Sequence, residues 1–323
     1  MTETHAEARG LRKMLNQIVS VNTRFLLRTQ YNLLREGGAL GLIRWNQMLV
    51  DAWLRDRIAR RRYHALSPEQ AGVARKSDTV FVFGSGASLN EIAPEEWDHF
   101  RAHDVFGFNA FYRQNWIPID FHLLRVGIYG SLRWRPYAEE VSGHLRDNPR
   151  FAATIFVLQG EYLGHFCNQL TGYGYLPAGV RVLRYHTARD DGPATRRIAD
   201  GIRHTTGTLA DAVNVAYCLG WKRIVLVGVD LYDSRYFYLP PDTTPGLDER
   251  SGLLGPSEFN TYRGIRYDQT HSTARHGVVD LMRAWRADFN REGVELFVHN
   301  PRSLLAEVLP VYELSRPAVH RPA

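Results

Sequence analysis

The chain has 323 residues, 44% hydrophobic and 12% aromatic, which allows one large α/β domain with an appendage, or two modest domains, and excludes an intrinsically disordered chain. Its formal charge of +6 sits at one end, because residues 1–63 hold twelve Lys/Arg against five Asp/Glu and the remainder holds 28 against 29; a nucleic-acid groove would set basic residues among the loops and aromatics of the body, so no nucleic acid is expected as a partner. No apolar run approaches the roughly 18 residues of a membrane span, no signal peptide is legible, and Cys167 and Cys218 lack metal-site or redox spacing, so the cytoplasm is the expected compartment.

Leu11, Met14, Leu15, Ile18, Phe25 and Leu26 keep helical spacing, and Gly37-Gly38 interrupts it. A second helix is predicted from about Leu40 to Ile58, with Trp45, Met48, Leu49 and Trp53 along it and arginines crowding its end. Such a helix suits either an anionic membrane surface, contacted through residues 1–63, or a helical hairpin packed on its own domain or on a second copy of the chain. Residues 1–77 are therefore read as a basic amphipathic helical region, with the polar stretch from Ser67-Pro68 to Lys76-Ser77 as the link into a main domain of residues 78–323.

Thr79–Phe83 is a predicted strand running into Gly84-Ser85-Gly86-Ala87-Ser88-Leu89. Glycines there let backbone N–H groups approach a phosphate or sugar, and Ser88 with Glu91 has capping-box spacing. Leu89 stands where a dinucleotide fingerprint needs its third glycine, although Asp104, about 20 residues on, falls where a ribose ligand would. The strand Val105–Phe108 ends in Asn109, whose amide offers both donor and acceptor; further strands are Phe121–Leu124, leading to Arg125, and Thr154–Leu158. Arg203, Thr205 and Thr206 precede Gly207 and a helix with apolar residues at Leu209, Ala212, Val213 and Ala216, an arrangement suited to a carboxylate or phosphate or to ordinary capping by a threonine.

Ile224–Val227 is a buried strand whose carboxyl end delivers Gly228-Val229-Asp230-Leu231-Tyr232 and, six residues later, Tyr238. Phenols at a strand's carboxyl end are neutral donors able to stabilise an anion without a metal. Residues 239–270 are rich in Pro, Gly and Asp and read as a lid; His271 then stands where that lid meets a helix marked by Val278, Met282, Trp285 and Phe289. The last strand is Val294–Val298, followed by Asn300-Pro301-Arg302-Ser303.

In this order the patches 84–89, 108–112, 203–207, 228–232 with Tyr238, and 300–305 resemble the bacterial lipooligosaccharide sialyltransferases of glycosyltransferase family forty-two, over roughly residues 78–310. The resemblance implies a Rossmann-like α/β fold with a mostly parallel sheet, in the GT-A-like sialyltransferase variant. It also implies a metal-independent, inverting transfer from a CMP-sialic acid or related keto-sugar donor to a glycan or glycolipid hydroxyl, with no cofactor. By the same resemblance Gly84, Ser85, Gly86, Ser88 and Asn109 hold the CMP part, with Ser85 where the family commonly has asparagine. Arg203, Thr205 and Thr206 surround the donor carboxylate or ribose, and Tyr232 and Tyr238 bond the departing phosphate. The catalytic histidine is His271, by its His-Ser context, or His276, by its spacing to Pro301. A second family asparagine has no counterpart, since Leu124 and Arg125 occupy its neighbourhood. The alternatives are an ATP- and magnesium-dependent pyrophosphokinase with a similar glycine loop, and a non-catalytic membrane scaffold.

Overall fold

The computed structural model describes residues 21–125, 134–160, 165–188, 192–205, 207–233, 235–240, 261–262, 265–266, 272–275 and 277–314. Helix α1 (Val21–Ala59) leads to β1 (His64–Leu66), α2 (Pro68–Val73), β2 (Thr79–Phe83), α3 (Pro94–Arg101), β3 (Asp104–Phe108) and β4 (Phe121–Leu124). Then come α4 (Trp134–Leu145), β5 (Ile155–Gln159), α5 (His165–Gly172), β6 (Arg181–Tyr185), α6 (Thr208–Leu219) and β7 (Arg223–Val227). A two-stranded pair β8 (Thr261–Tyr262) and β9 (Ile265–Arg266), α7 (Ser272–Arg275), α8 (Val278–Arg291) and β10 (Glu295–Val298) complete the chain.

Eight strands form one parallel sheet in the order β1-β6-β5-β4-β3-β2-β7-β10. Chain order reverses between β2 and β7, and in an open α/β sheet the crevice at such a reversal, beyond the strands' carboxyl ends, is where ligands sit. β2, β3, β4 and β5 are buried at every residue. Strands covered on both faces read as continuous apolar runs, which is how these four are legible in the sequence. Alternate side chains feed two cores: Val80, Val82, Phe106 and Leu226 pack under α6 and α8, while Phe81, Phe83, Phe156 and Val225 share the other with Trp97, Trp45 and Leu49.

Two expectations about the N-terminal region need correction. Residues 64–73 are part of the sheet domain: β1 is its edge strand, with His64 opposite Arg181 and Leu66 opposite Leu183. Ser67 caps α2, its Oγ accepting from Gln70 N while Gln70 Oε1 accepts from Ser67 N, and Pro68 opens the helix. The polar composition that suggested a link is the signature of an edge strand and a capped helix.

Helix α1 is broken at Gly38 (φ 60°, ψ −167°), as the glycine pair predicts. The amides of Gln30 and Asn46 bond each other reciprocally at 3.1 Å. Sixteen residues of straight helix would hold them about 24 Å apart, so the two limbs fold back as a hairpin. The hairpin docks through Trp45 and Leu49 and through Asp56, which accepts from Thr171 Oγ1 at 2.6 Å and Arg184 Nη2 at 2.8 Å. Among the described residues no helix is long and apolar enough to cross a membrane.

Candidate functional site

The carboxyl ends of β2 and β7 meet at Asp230. Its carboxylate, 2% exposed, accepts from Ser88 N at 3.0 Å, from Ser88 Oγ and from Asn300 Nδ2 at 3.0 Å. One acidic group thereby ties the glycine loop, the end of β7 and the turn after β10 together. Ser303 adds a bond from its hydroxyl to Val229 O at 2.6 Å. Ser88 therefore makes no capping box with Glu91; Gly86 is the cap of that turn, and Glu91 pairs with Arg302.

The glycine loop is used differently from the sequence reading. Gly84 N donates to Val227 O and Gly86 N to Gly228 O, each at 2.8 Å, and Ser88 N is spent on Asp230. A Cβ on Gly86 would collide with the Asp230 carboxylate and stand 2.8 Å from Gly228 O. The close approach that glycine permits here is to the chain's own backbone, so these amides are engaged by protein. Ser85, buried, accepts from Ala110 N at 3.1 Å and fixes the loop to the turn after β3.

That turn begins with Asn109, exposed and at φ 54°, one of two non-glycine residues in the left-handed region among the described residues; the other, Leu231 at φ 63°, follows Asp230. Asparagine tolerates this conformation, whereas a leucine held in it is strained, and such strain persists only where its surroundings over-determine it. Beneath Asn109 lies His122, fully buried and T-shaped to Tyr112. Burial pushes its pKa down to about 3, against backbone groups of Asn109 and Gly107 that favour the charged form. Asp104 stands at the opposite, amino end of β3, accepting from Lys76 N, Ser77 N and Trp221 Nε1. Its carboxylate anchors the sheet's far end, away from the carboxyl-end crevice in which a ribose would lie.

A second group lies beyond β4 and β6. His204 Nδ1 is 2.7 Å from Asp211 Oδ1 and its Nε2 is 2.7 Å from Arg125 Nη1. Tyr185 Oη donates to Asp211 Oδ2 at 2.9 Å. Arg125 Nη1 is also 3.1 Å from His204 Nδ1, so the guanidinium rests against the ring, and the imidazole stands between it and the buried Asp211 carboxylate. The side chain of Arg125 is 9% exposed. Arg203 turns elsewhere: its Nε donates to Pro193 O at 2.9 Å and its backbone N to Asn214 Oδ1 at 3.0 Å. Thr205 is exposed, Thr206 lies outside the described residues, and α6 is capped by Gly207 (φ 96°) without a threonine side chain.

The two phenols have separate surroundings. Tyr232 is half-buried, hydrogen-bonded to the Asn300 side chain, with Arg302 5.9 Å from its ring. Burial first and the Asp230 carboxylate second raise its pKa above that of an ordinary phenol, so it is a neutral donor at pH 7. Tyr238 stacks on Tyr236 at 5.4 Å, with the Arg113 guanidinium 4.5 Å from its ring. Tyr236 bridges to Gly86 and Phe237 N donates to Ser85 O, so this segment lies along the glycine loop. His271, His276 and residues 241–260 of the expected lid lie outside the described residues.

Asp230, Asn300, Arg125 and His204 stand in stretches singled out in the sequence, but without these roles, and Asp211 and Tyr185 do not. Spacing offered one usable signal, a buried-type aspartate in the first turn of an otherwise apolar helix, at Asp211. A scan against family models and a search of curated proteins found no match to this chain.

Proposed function

We propose that the protein is a metal-independent, inverting glycosyltransferase of the GT-A-like sialyltransferase type, which moves sialic acid or a related keto-sugar from a CMP donor to a glycan or glycolipid hydroxyl. The observation that carries this reading is the grouping, beyond the carboxyl ends of one parallel sheet, of an exposed amide (Asn109 after β3), a guanidinium (Arg125 after β4) and a neutral phenol (Tyr232 after β7). A keto-sugar nucleotide carries groups to match: a base or ribose for the amide, a carboxylate at its anomeric carbon for the guanidinium, and a leaving phosphate for the phenol.

In the proposed reaction the bond between anomeric carbon and phosphate oxygen breaks, and its electron pair leaves with CMP. Tyr232, with Tyr238 as the second phenol, donates to the oxygen on which charge accumulates. The acceptor hydroxyl attacks the opposite face and its proton passes to a base, assigned by resemblance to His271 or, failing that, His276. Arg125, held against His204 and Asp211, keeps its charge aimed at the donor's carboxylate and discriminates against neutral sugars.

The reading is tested by following hydrolysis of a panel of CMP-sugars in EDTA, with thermal shifts for CMP and for ATP with magnesium alongside. Cleavage of a carboxylated CMP-sugar and stabilisation by CMP are expected. Stabilisation by ATP with magnesium alone would reject it in favour of a kinase-like enzyme, and indifference to both nucleotides would reject it in favour of a scaffold.

A further inference from the structure

The second limb of α1 is apolar on two opposite sides. Trp45, Leu49, Ala52 and the buried Asp56 point into the domain. At 100° per residue, Ile43, Val50 and Leu54 stand diametrically across from them, and all three are exposed. Leu27, Tyr31 and Leu34 are exposed on the first limb. Of the ten large apolar side chains that stand exposed among the described residues, eight belong to this hairpin, including Ile58 at 81%. An open groove of about 600 Å³ runs beside Ile43, Val50 and Leu54. Scattered exposed leucines are ordinary; this concentration on one element marks an interaction surface.

The charge of the same element selects the occupant. Residues 21–62 hold nine arginines against three carboxylates, and one of those carboxylates, Asp56, is buried and bonded inside the domain. Arg44, Arg57, Arg60, Arg61 and Arg62 are exposed. Two copies meeting through this face would oppose two cationic surfaces, whereas an anionic bilayer would neutralise them while taking up the leucines and isoleucines. The element is too polar to span a bilayer.

We propose that the outer face of the α1 hairpin lies in the surface of an anionic lipid bilayer, with the Ile43, Val50 and Leu54 side chains in the acyl boundary and the arginines at the headgroups. The proposal is independent of the reaction assigned above. Because removing the hairpin would strip Trp45 and Leu49 from the core, the face is tested by surface substitutions in the full chain.

The test uses the full chain with vesicles of phosphatidylglycerol and phosphatidylcholine, and of phosphatidylcholine alone, read by co-sedimentation, with sedimentation velocity for oligomeric state. Two variants are compared, Ile43→Gln/Val50→Gln/Leu54→Gln and Arg60→Gln/Arg61→Gln/Arg62→Gln, each checked for unchanged circular dichroism and melting. Binding to the anionic vesicles is expected, with affinity falling about tenfold or more in either variant, in neutral vesicles and on raising salt. Failure of the parent to bind anionic vesicles would overturn the proposal, as would binding insensitive to salt and to the arginine variant. So would a dimer that the apolar variant dissociates without altering vesicle binding, which would assign the face to a second copy.

Discussion

Asp230 and Ser88, 142 positions apart, are joined twice: the carboxylate accepts from both the backbone amide and the hydroxyl of the serine. With Asn300 bonded to the same carboxylate, the crossing between β2 and β7 is locked by a buried anion whose oxygens all face donors. Replacing Asp230 with asparagine turns one acceptor into a donor facing donors. Asp230→Asn is expected to lower stability by about 1–3 kcal/mol, with Ser88→Ala costing less, as read from urea midpoints. An unchanged midpoint for Asp230→Asn would show that the carboxylate does not hold the crossing.

The Arg125, His204 and Asp211 group separates recognition from scaffolding by kinetics. A hydrogen bond to a charged group contributes about 1.5–3 kcal/mol, so Arg125→Gln is expected to lower kcat/KM for a carboxylated CMP-sugar about ten- to hundredfold. The loss should shrink for a donor whose carboxylate is esterified. Equal losses on both donors, measured by release of CMP, would assign Arg125 to the fold alone.

For Tyr232 the expectation concerns turnover. Tyr232→Phe removes the phenolic donor and keeps the ring, and a lost oxyanion donor costs on the order of a hundredfold in kcat. Its melting temperature should stay near the parent's, because the ring's packing is retained. A normal kcat with raised KM would mean that the hydroxyl binds donor without stabilising the leaving group.

His122 predicts how the fold responds to acid. Its folded pKa, about 3, lies below the ordinary value near 6.5. The neutral ring's contribution is therefore complete above about pH 6.5 and is lost as pH falls from there toward 3, because the unfolded chain takes up the proton first. Between pH 7 and pH 5 the parent should lose about 2 kcal/mol more than His122→Leu, in urea titrations at each pH. Parallel profiles would show that the ring is solvated.

Asp56 works in a lower pH range. Burial opposes its ionisation, but the hydrogen bonds from Arg184 and Thr171 and the charges of Arg184 and Arg60 prevail, and its pKa lies below the ordinary carboxylate value. Its contribution is present above that ordinary value and disappears as pH falls through the lowered one. Asp56→Ala removes the acceptor of the buried Thr171 hydroxyl and of Arg184, whose side chain is 31% exposed, and is expected to cost about 1–3 kcal/mol. Proteolysis should then cut α1 before the sheet; equal protection of the two would show that the hairpin is held by packing alone.

The sheet was legible where strands are buried on both faces. Thr79–Phe83, Phe121–Leu124 and Ile224–Val227 each read as a short apolar run, and the helical spacing of apolar residues in α6 and the amphipathic period of α8 stand out with equal clarity. His64–Leu66 and Arg181–Tyr185 were missed, because three residues are too few to show a period and the two arginines of β6 interrupt its apolar run.

What the amino-acid order determined alone is local: the buried apolar strands and the periodic helices, the break of α1 at Gly38, and the delivery of Asn109, Arg125 and Asp230 by strand ends. Tertiary structure decided the partners. Neighbouring residues Arg203 and His204 take opposite directions, one to Pro193 and the other to Asp211 and Arg125. The glycines at 84 and 86 approach the backbone at 228. The hairpin shows one apolar side to the core and the other to the outside. Period and composition specify the face of an element on which a side chain stands; only strand order and register specify what stands opposite, because those contacts join residues far apart along the chain.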